Sequence, residues 1–269
     1  MFVLPTEINE FTPKTRAVAS ARVLPMMLMI ALTAACGKQP SSSSVEGWPA
    51  ATTAQVKRPY ILYRAAPNIA GLSDFIQESQ PALDAEQADL LAQNIMTVAA
   101  CFQIDARILT SQIRQESLFD ARAESSTHAA GLSQLTRIGI KEVEHQLGAM
   151  GPSQAGALAI QYFNGVINGC LASKFGADFP ARSHLWKRVE SGNAAEDLRE
   201  KKQIIMAEPR IALVYGAILL KTLLSKSRLE NTTWTTKEVY GRALWYYNGD
   251  PAAQQHYRDV ILSQAATIH

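Results

Sequence analysis

The sequence predicts an all-α fold, and three observations carry that reading. From about Arg58 onward, apolar residues recur at three- and four-residue spacing, the period of an amphipathic helix. Glycines and prolines fall between these segments rather than inside them. No stretch gives a convincing run of alternating strands. With 269 residues and 47% hydrophobic content, the chain can bury a substantial core. It divides into an export segment over residues 1–36, a flexible linker over 37–57 and a helical domain over 58–269. Within that domain the core runs from about 82 to 262, with an insertion from about 150 to 207.

The N-terminal elements come first. Lys14, Arg16 and Arg22 precede the run VLPMMLMIALTAAC, Val23 to Cys36. A basic stretch, an apolar run too short to span a bilayer as a mature helix, and small residues before a cysteine read as an export signal. The ending LTAAC resembles the lipobox of bacterial lipoproteins, whose cysteine is lipidated and becomes the mature N-terminus. Thr33 stands where that family favours Leu, and Leu32 lies one place too early. The alternative is a plain secretory signal with an incidental Cys36. Either sends the protein out of the cytoplasm, and lipidation would place it in the periplasm, attached to the outer membrane. The following GKQPSSSSVEGWPA lacks an apolar period and reads as a tether.

The helical elements follow in order. Ala82 to Phe102 places Leu90, Leu91, Ile95 and Val98 at helical spacing. Asp105 can cap the next helix, in which Ile108, Leu109 and Ile113 share a face and which ends near Glu116. RIGIKEVEHQLG puts Ile140, Val143 and Leu147 on one stripe, with Gly148 as its stop. Gly151 to Ala207 is less regular, with a loop-like KFGADFPARS and a charged run, EDLREKK, that reads as a solvated face. PRIALVYGAILLKTLLSK, Pro209 to Lys226, opens on a helix-starting proline and reads as a central buried helix, where Gly216 lets a neighbour approach. Thr235 and Glu238 form a capping-box pattern ahead of EVYGRALWYYN. Asp250 and Pro251 read as the start of a last helix, in which Tyr257 and Ile261 stack one turn apart.

Composition excludes some functions. A formal charge of +2 gives no electrostatic footprint for nucleic acid. The five histidines are scattered without metal-ligand spacing, so neither a metal nor a cofactor is expected. Cys101 and Cys170 form an even pair in an exported chain, which suggests a disulfide; two buried free thiols are the alternative.

Glu116 is the candidate for chemistry. A carboxylic acid donates a proton near neutral pH only if burial raises its pKa. Glu116 follows Ile113 by three residues and so lies near the apolar face, with Phe119 close enough to add cover. By spacing alone, a helix-end glutamate is more often a solvated charge.

The wider pattern is more specific. ESLFDARAESSTHAAGLSQL resembles the signature of soluble lytic transglycosylases, relatives of goose-type lysozyme in glycoside hydrolase family 23. Glu116, Ser117, Phe119, Ser125, Gly131, Leu132 and Gln134 fall in register without a gap. PRIALVYGAILL resembles a second motif of that family. ALWYYNGDP resembles its Ala-Leu-x-x-Tyr-Asn-x-Gly motif through Ala243, Leu244, Tyr247 and Asn248, and HYRDVI its terminal Tyr-x-x-x-Val helix. The chain departs at Ser133, where the family has Met, at His128, usually Gly, at Arg137, often Pro, and at Asp250, usually Gly.

The resemblance implies a peptidoglycan lytic transglycosylase with a lysozyme-like fold. Glu116 would protonate the oxygen joining N-acetylmuramic acid to N-acetylglucosamine, and then take the proton from the muramic C6 hydroxyl as a 1,6-anhydro ring closes. Ser125 and Gln134 would bond substrate or the glutamate, Tyr247 would lie near Glu116, and Asn248 would hold the loop or a sugar. Trp245 and Tyr246 could stack on sugar rings or pack in the core. Rival readings are a hydrolytic goose-type muramidase and a non-catalytic wall-binding lipoprotein with a protein partner in an envelope machine. A serine hydrolase centred on Ser133 is disfavoured, because Leu135 fills the last place of the Gly-x-Ser-x-Gly pattern and no strand precedes it.

Overall fold

The computed structural model describes residues 57–149, 162–249 and 252–269. The export segment with Cys36, nearly all of the linker, and Asp250 and Pro251 lie outside the described residues. The described residues form helices and no β-strand. No single helix among them is long and apolar enough to cross a membrane.

Helix α1, Ile69–Ser79, is capped by Asn68, whose side chain accepts from the Gly71 amide. Helix α2, Ala85–Phe102, starts three residues later than its apolar pattern. Asp84 and Gln87 build a capping box there that satisfies two otherwise unpaired amides. Helix α3, Ala106–Ser117, is capped by Asp105 through the Arg107 amide. Asp105 does more than cap. Its Oδ2 accepts from Leu62 and Tyr63, and its amide donates to the Tyr240 hydroxyl, which donates in turn to the Tyr60 carbonyl. The start of α3 is therefore fixed from both sides.

Helix α4, Arg137–Gln146, begins on a Thr136 cap. A π-helical segment, Phe163–Ile167, runs into α5, Asn168–Phe175, and a disulfide joins Cys101 of α2 to Cys170 of α5. Short helices α6, Phe179–Ser183, and α7, Leu185–Arg188, precede α8, Ala194–Ala207. The described part of the stretch expected to be irregular, from 162 on, thus carries helices, because apolar anchors such as Phe163, Leu171, Phe179 and Leu185 are buried in the core.

The EDLREKK run also departs from expectation. It is not wholly a solvated face: Lys201 pairs with Glu144 of α4 at 2.6 Å, and Lys202 donates to the His128 carbonyl. Leu198, Lys201 and Ile205 recur at helical spacing, so the charged run shares a helix with an apolar stripe that turns part of it inward.

Helix α9, Pro209–Glu230, is the central element. Ile211, Leu213, Tyr215, Ile218 and Leu224 are fully buried, and it packs against α2, α4 and α8. Its Lys221 is buried too and donates to the Arg58 carbonyl at 2.7 Å, with the ammonium over the Tyr60 ring. Helix α10, Thr236–Asn248, starts with the Thr235–Glu238 capping box and packs on α9. Helix α11, Gln254–Thr267, packs on α3 and α10. These three contacts bring residues far apart in sequence around the end of α3.

Candidate active site

Glu116 is the penultimate residue of α3. The chain then leaves the helix abruptly, with Leu118 and Phe119 both left-handed at φ 50° and 63°. Such backbone is costly for non-glycine residues and persists only where the surroundings hold it. Here the hold is Phe119, which is buried and meets Phe75 edge-on at 6.2 Å between centroids.

The segment from Ala123 to Leu135 folds back across this end. Isolated bridges pair Ala130 with both Glu124 and Leu135, and Gly131 donates to Ala123. Gly131 has φ 72°, and a methyl on it would lie 2.9 Å from Ile205 of α8. Only glycine suits both the backbone angle and the close helix.

Glu116 keeps partial exposure, yet burial pushes its carboxyl from the ordinary 4.5 up to about 7. Its Oε1 accepts a hydrogen bond from the Tyr257 hydroxyl, which favours the ionised form and offsets part of that rise. Burial and the neighbouring Glu116 charge both push the Tyr257 phenol well up, so it stays a donor at neutral pH. Gln112, buried one turn earlier on α3, acts on the same phenol. Tyr247 is close enough for the Glu116 charge to raise its pKa, after burial as the larger cause. The result is a carboxyl that holds its proton near neutrality and has a phenol donor ready when it ionises.

Other candidates sit differently. Tyr247 donates to the Ser133 carbonyl at 3.0 Å. The Ser125 hydroxyl bonds to Thr127 and accepts from the Ala129 amide at 2.9 Å. The Gln134 amide donates to the Ala123 and Gly131 carbonyls at 3.0 Å each. Both residues brace the loop, while the hydrogen bond to Glu116 comes from Tyr257. Asn248 ends α10 in a partly exposed position. His128 is exposed with φ 60°, whereas Ser133 is buried and donates to the Ala212 carbonyl at 3.2 Å. Among the described residues, no group of three His, Cys, Asp or Glu side chains is placed to hold a metal.

An independent comparison covers the segment around Glu116. Residues 93–179 match the family model described as the transglycosylase SLT domain. That stretch is similar to an SLT domain, which is consistent with the lysozyme-like superfamily. SLT domains are of the lytic transglycosylase type, within the lysozyme-like superfamily, and act on peptidoglycan. No curated protein and no solved structure matches the chain. The SLT match takes in Glu116, Ser125 and Gln134 but stops short of α9, α10 and α11. The structure supplies what lies beyond it, since Tyr247 and Tyr257 come to Glu116 from α10 and α11.

In the sequence, Tyr257 stands only in a terminal motif and a helical stack. Its signal was a tyrosine one turn before Ile261 on an apolar face, which also describes a core residue. For Trp245 and Tyr246 the sequence leaves sugar stacking and core packing both open. Tyr246 donates to Glu230 and meets Trp245 edge-on, and neither ring is fully buried.

Proposed function

We propose that this protein is a peptidoglycan lytic transglycosylase and that Glu116 is its single acid and base. The observation that carries the reading is the partly buried Glu116 carboxyl, with a pKa near 7, in register with the SLT signature and bonded by Tyr257. A group with a pKa near ambient pH can both donate and accept in one cycle.

In the proposed cycle, protonated Glu116 donates to the glycosidic oxygen between N-acetylmuramic acid and N-acetylglucosamine. The bond from that oxygen to the muramic anomeric carbon breaks, and the N-acetylglucosamine leaves as an alcohol. The acetamido oxygen of the same muramic residue closes on the anomeric carbon and carries the developing charge. Most glycosidases place a second carboxylate at this point. Ionised Glu116, held by Tyr257, then takes the C6 hydroxyl proton. The C6 oxygen displaces the acetamido oxygen, giving a 1,6-anhydro ring and regenerating the acid. Water is neither consumed nor released.

Ser125 and Gln134 shape the loop that faces the sugar, Tyr247 supports it through Ser133, and Asn248 closes that end of α10. The basic and apolar run ending at Cys36 supports export and a lipid anchor at that cysteine. The reading is of a periplasmic protein, attached to the outer membrane by residues 37–57 and acting on glycan strands within reach of that tether. An envelope-complex partner would dock on the same soluble domain.

Purified sacculi provide the test. The wild type releases muropeptides one water lighter than reducing-end products, and Glu116→Gln releases none while folding normally. Reducing-end products would mean a hydrolytic muramidase, and full activity of Glu116→Gln would remove Glu116 from the mechanism.

A further inference from the structure

Helix α10 has two working faces. Tyr247 turns toward Ser133 and Glu116, while Trp245, two residues back, lies about 200° round the helix. Trp245 lines a separate hollow of about 710 Å³ between α10, α11 and the Trp234 turn. Lys237, Arg242 and Glu238 share its α10 wall, the Glu238 carboxylate being taken up by the Thr235 capping box, and Arg258 and Asp259 of α11 form the opposite one. None of the residues lining it is Glu116 or one of that glutamate's partners.

Both guanidinium groups of this hollow are held by carboxylates. The Arg242 guanidinium lies 4.5 Å from the Trp245 ring centre and bonds Glu230 at 2.9 Å. Arg258 bonds Asp259 at 2.8 Å. Lys237 is exposed and has no carboxylate partner among the described residues. Trp234 and Trp245 are each partly exposed. Indole faces offer an apolar surface to the C–H side of a pyranose ring. Fixed guanidinium and carboxylate groups at the rim suit hydroxyl and acetamido groups. The unneutralised Lys237 adds a site for a carboxylate, which the peptide-bearing muramic residues of a glycan strand carry.

We infer that this hollow is an accessory, non-catalytic site for a carboxylate-bearing peptidoglycan strand. The inference rests on the reading of peptidoglycan as substrate. A second hold on an insoluble wall keeps the enzyme on it between cuts and raises the effective concentration of strands at Glu116.

Retention of the full chain by purified sacculi tests this, measured by co-sedimentation in a Glu116→Gln background so that nothing is digested. Adding Lys237→Glu or Trp245→Ala is expected to weaken retention about tenfold. Lys237 is exposed, so its replacement reports on binding rather than folding. With Glu116 restored, Lys237→Glu is expected to turn over short soluble glycan fragments at the wild-type rate and to release less from sacculi. Retention equal to the Glu116→Gln parent would overturn the site, as would an equal loss on fragments and sacculi. Retention is read in an inactive background. A wild type that releases no muropeptide would therefore count against the enzymatic reading alone.

Discussion

The Tyr257 hydroxyl donates a hydrogen bond to Oε1 of Glu116 across 141 positions of sequence. That bond favours the ionised carboxylate, while burial favours the acid, and the balance leaves the pKa near 7. Removing the phenol hydroxyl therefore has a definite sign. Tyr257→Phe should move the alkaline limb of the muropeptide-release profile to higher pH and lower the rate at the optimum by roughly 10²-fold, the lower range for a lost acid–base partner. The wild-type limb should fall near pH 7, because the first step needs the protonated acid. A limb at the same pH in both proteins would disconnect Tyr257 from the titration of Glu116.

Glu116 should also set part of the pH dependence of stability. Its pKa is raised in the folded state, so the native protein binds this proton more tightly than the unfolded chain. Its contribution is complete below pH 4.5 and is lost as pH rises toward about 7. At about 1.4 kcal/mol per pH unit, ionising it in place costs at most about 3 kcal/mol. Glu116→Gln should therefore unfold at a higher temperature than the wild type at pH 8 and show little difference at pH 4. Parallel melting curves at the two pH values would contradict the burial argument.

Gly216 sets how closely α9 approaches the signature loop. A methyl there would lie 2.2 Å from Ser133 Oγ and 2.8 Å from Ser133 Cβ. The Ser133 carbonyl takes the Tyr247 hydrogen bond, so displacement of Ser133 reaches the site. Gly216→Ala should cost about 1–3 kcal/mol by overpacking. Adding Ser133→Gly should recover most of that cost in thermal unfolding, because it removes both clashing atoms. A double variant no more stable than Gly216→Ala would place the clash elsewhere.

The Cys101–Cys170 bond spans 69 positions and encloses α3, the whole signature segment and α4. Opening a loop of that size restores chain freedom to the unfolded state, worth about 2–4 kcal/mol. The Cys101→Ala, Cys170→Ala protein should unfold at correspondingly lower denaturant concentration, with an unchanged pH profile for any muropeptide release by the folded fraction. Equal midpoints for oxidised and reduced wild type would show that the bond adds nothing to stability.

What was legible in the sequence lies within one helical turn of its signal. Asp105, Thr235 with Glu238, and Pro209 start helices where their chemistry requires, because a cap acts on amides two or three residues away. The helical period exposed the core stripes of α3, α4 and α9 for the same reason. Glu116 was legible through the ungapped register of its loop with the SLT signature, and the family match covers that same stretch. The charged start of α8 misled because a charge run and an apolar stripe can share one helix, and which side wins depends on what lies opposite.

The sequence by itself determined helices α3, α4, α9 and α10, the caps Asp105 and Thr235, and Glu116 as the candidate acid. Only the tertiary structure decided what surrounds that acid. It turned Ser125 and Gln134 into braces of the loop, brought Tyr257 from α11 as the partner of Glu116, and set Trp245 against a hollow walled by α11. The physical reason is range. Caps and periodicity are settled by neighbours three or four residues apart. The pKa of Glu116 depends on burial and on a phenol that arrives only once α11 has packed on α3.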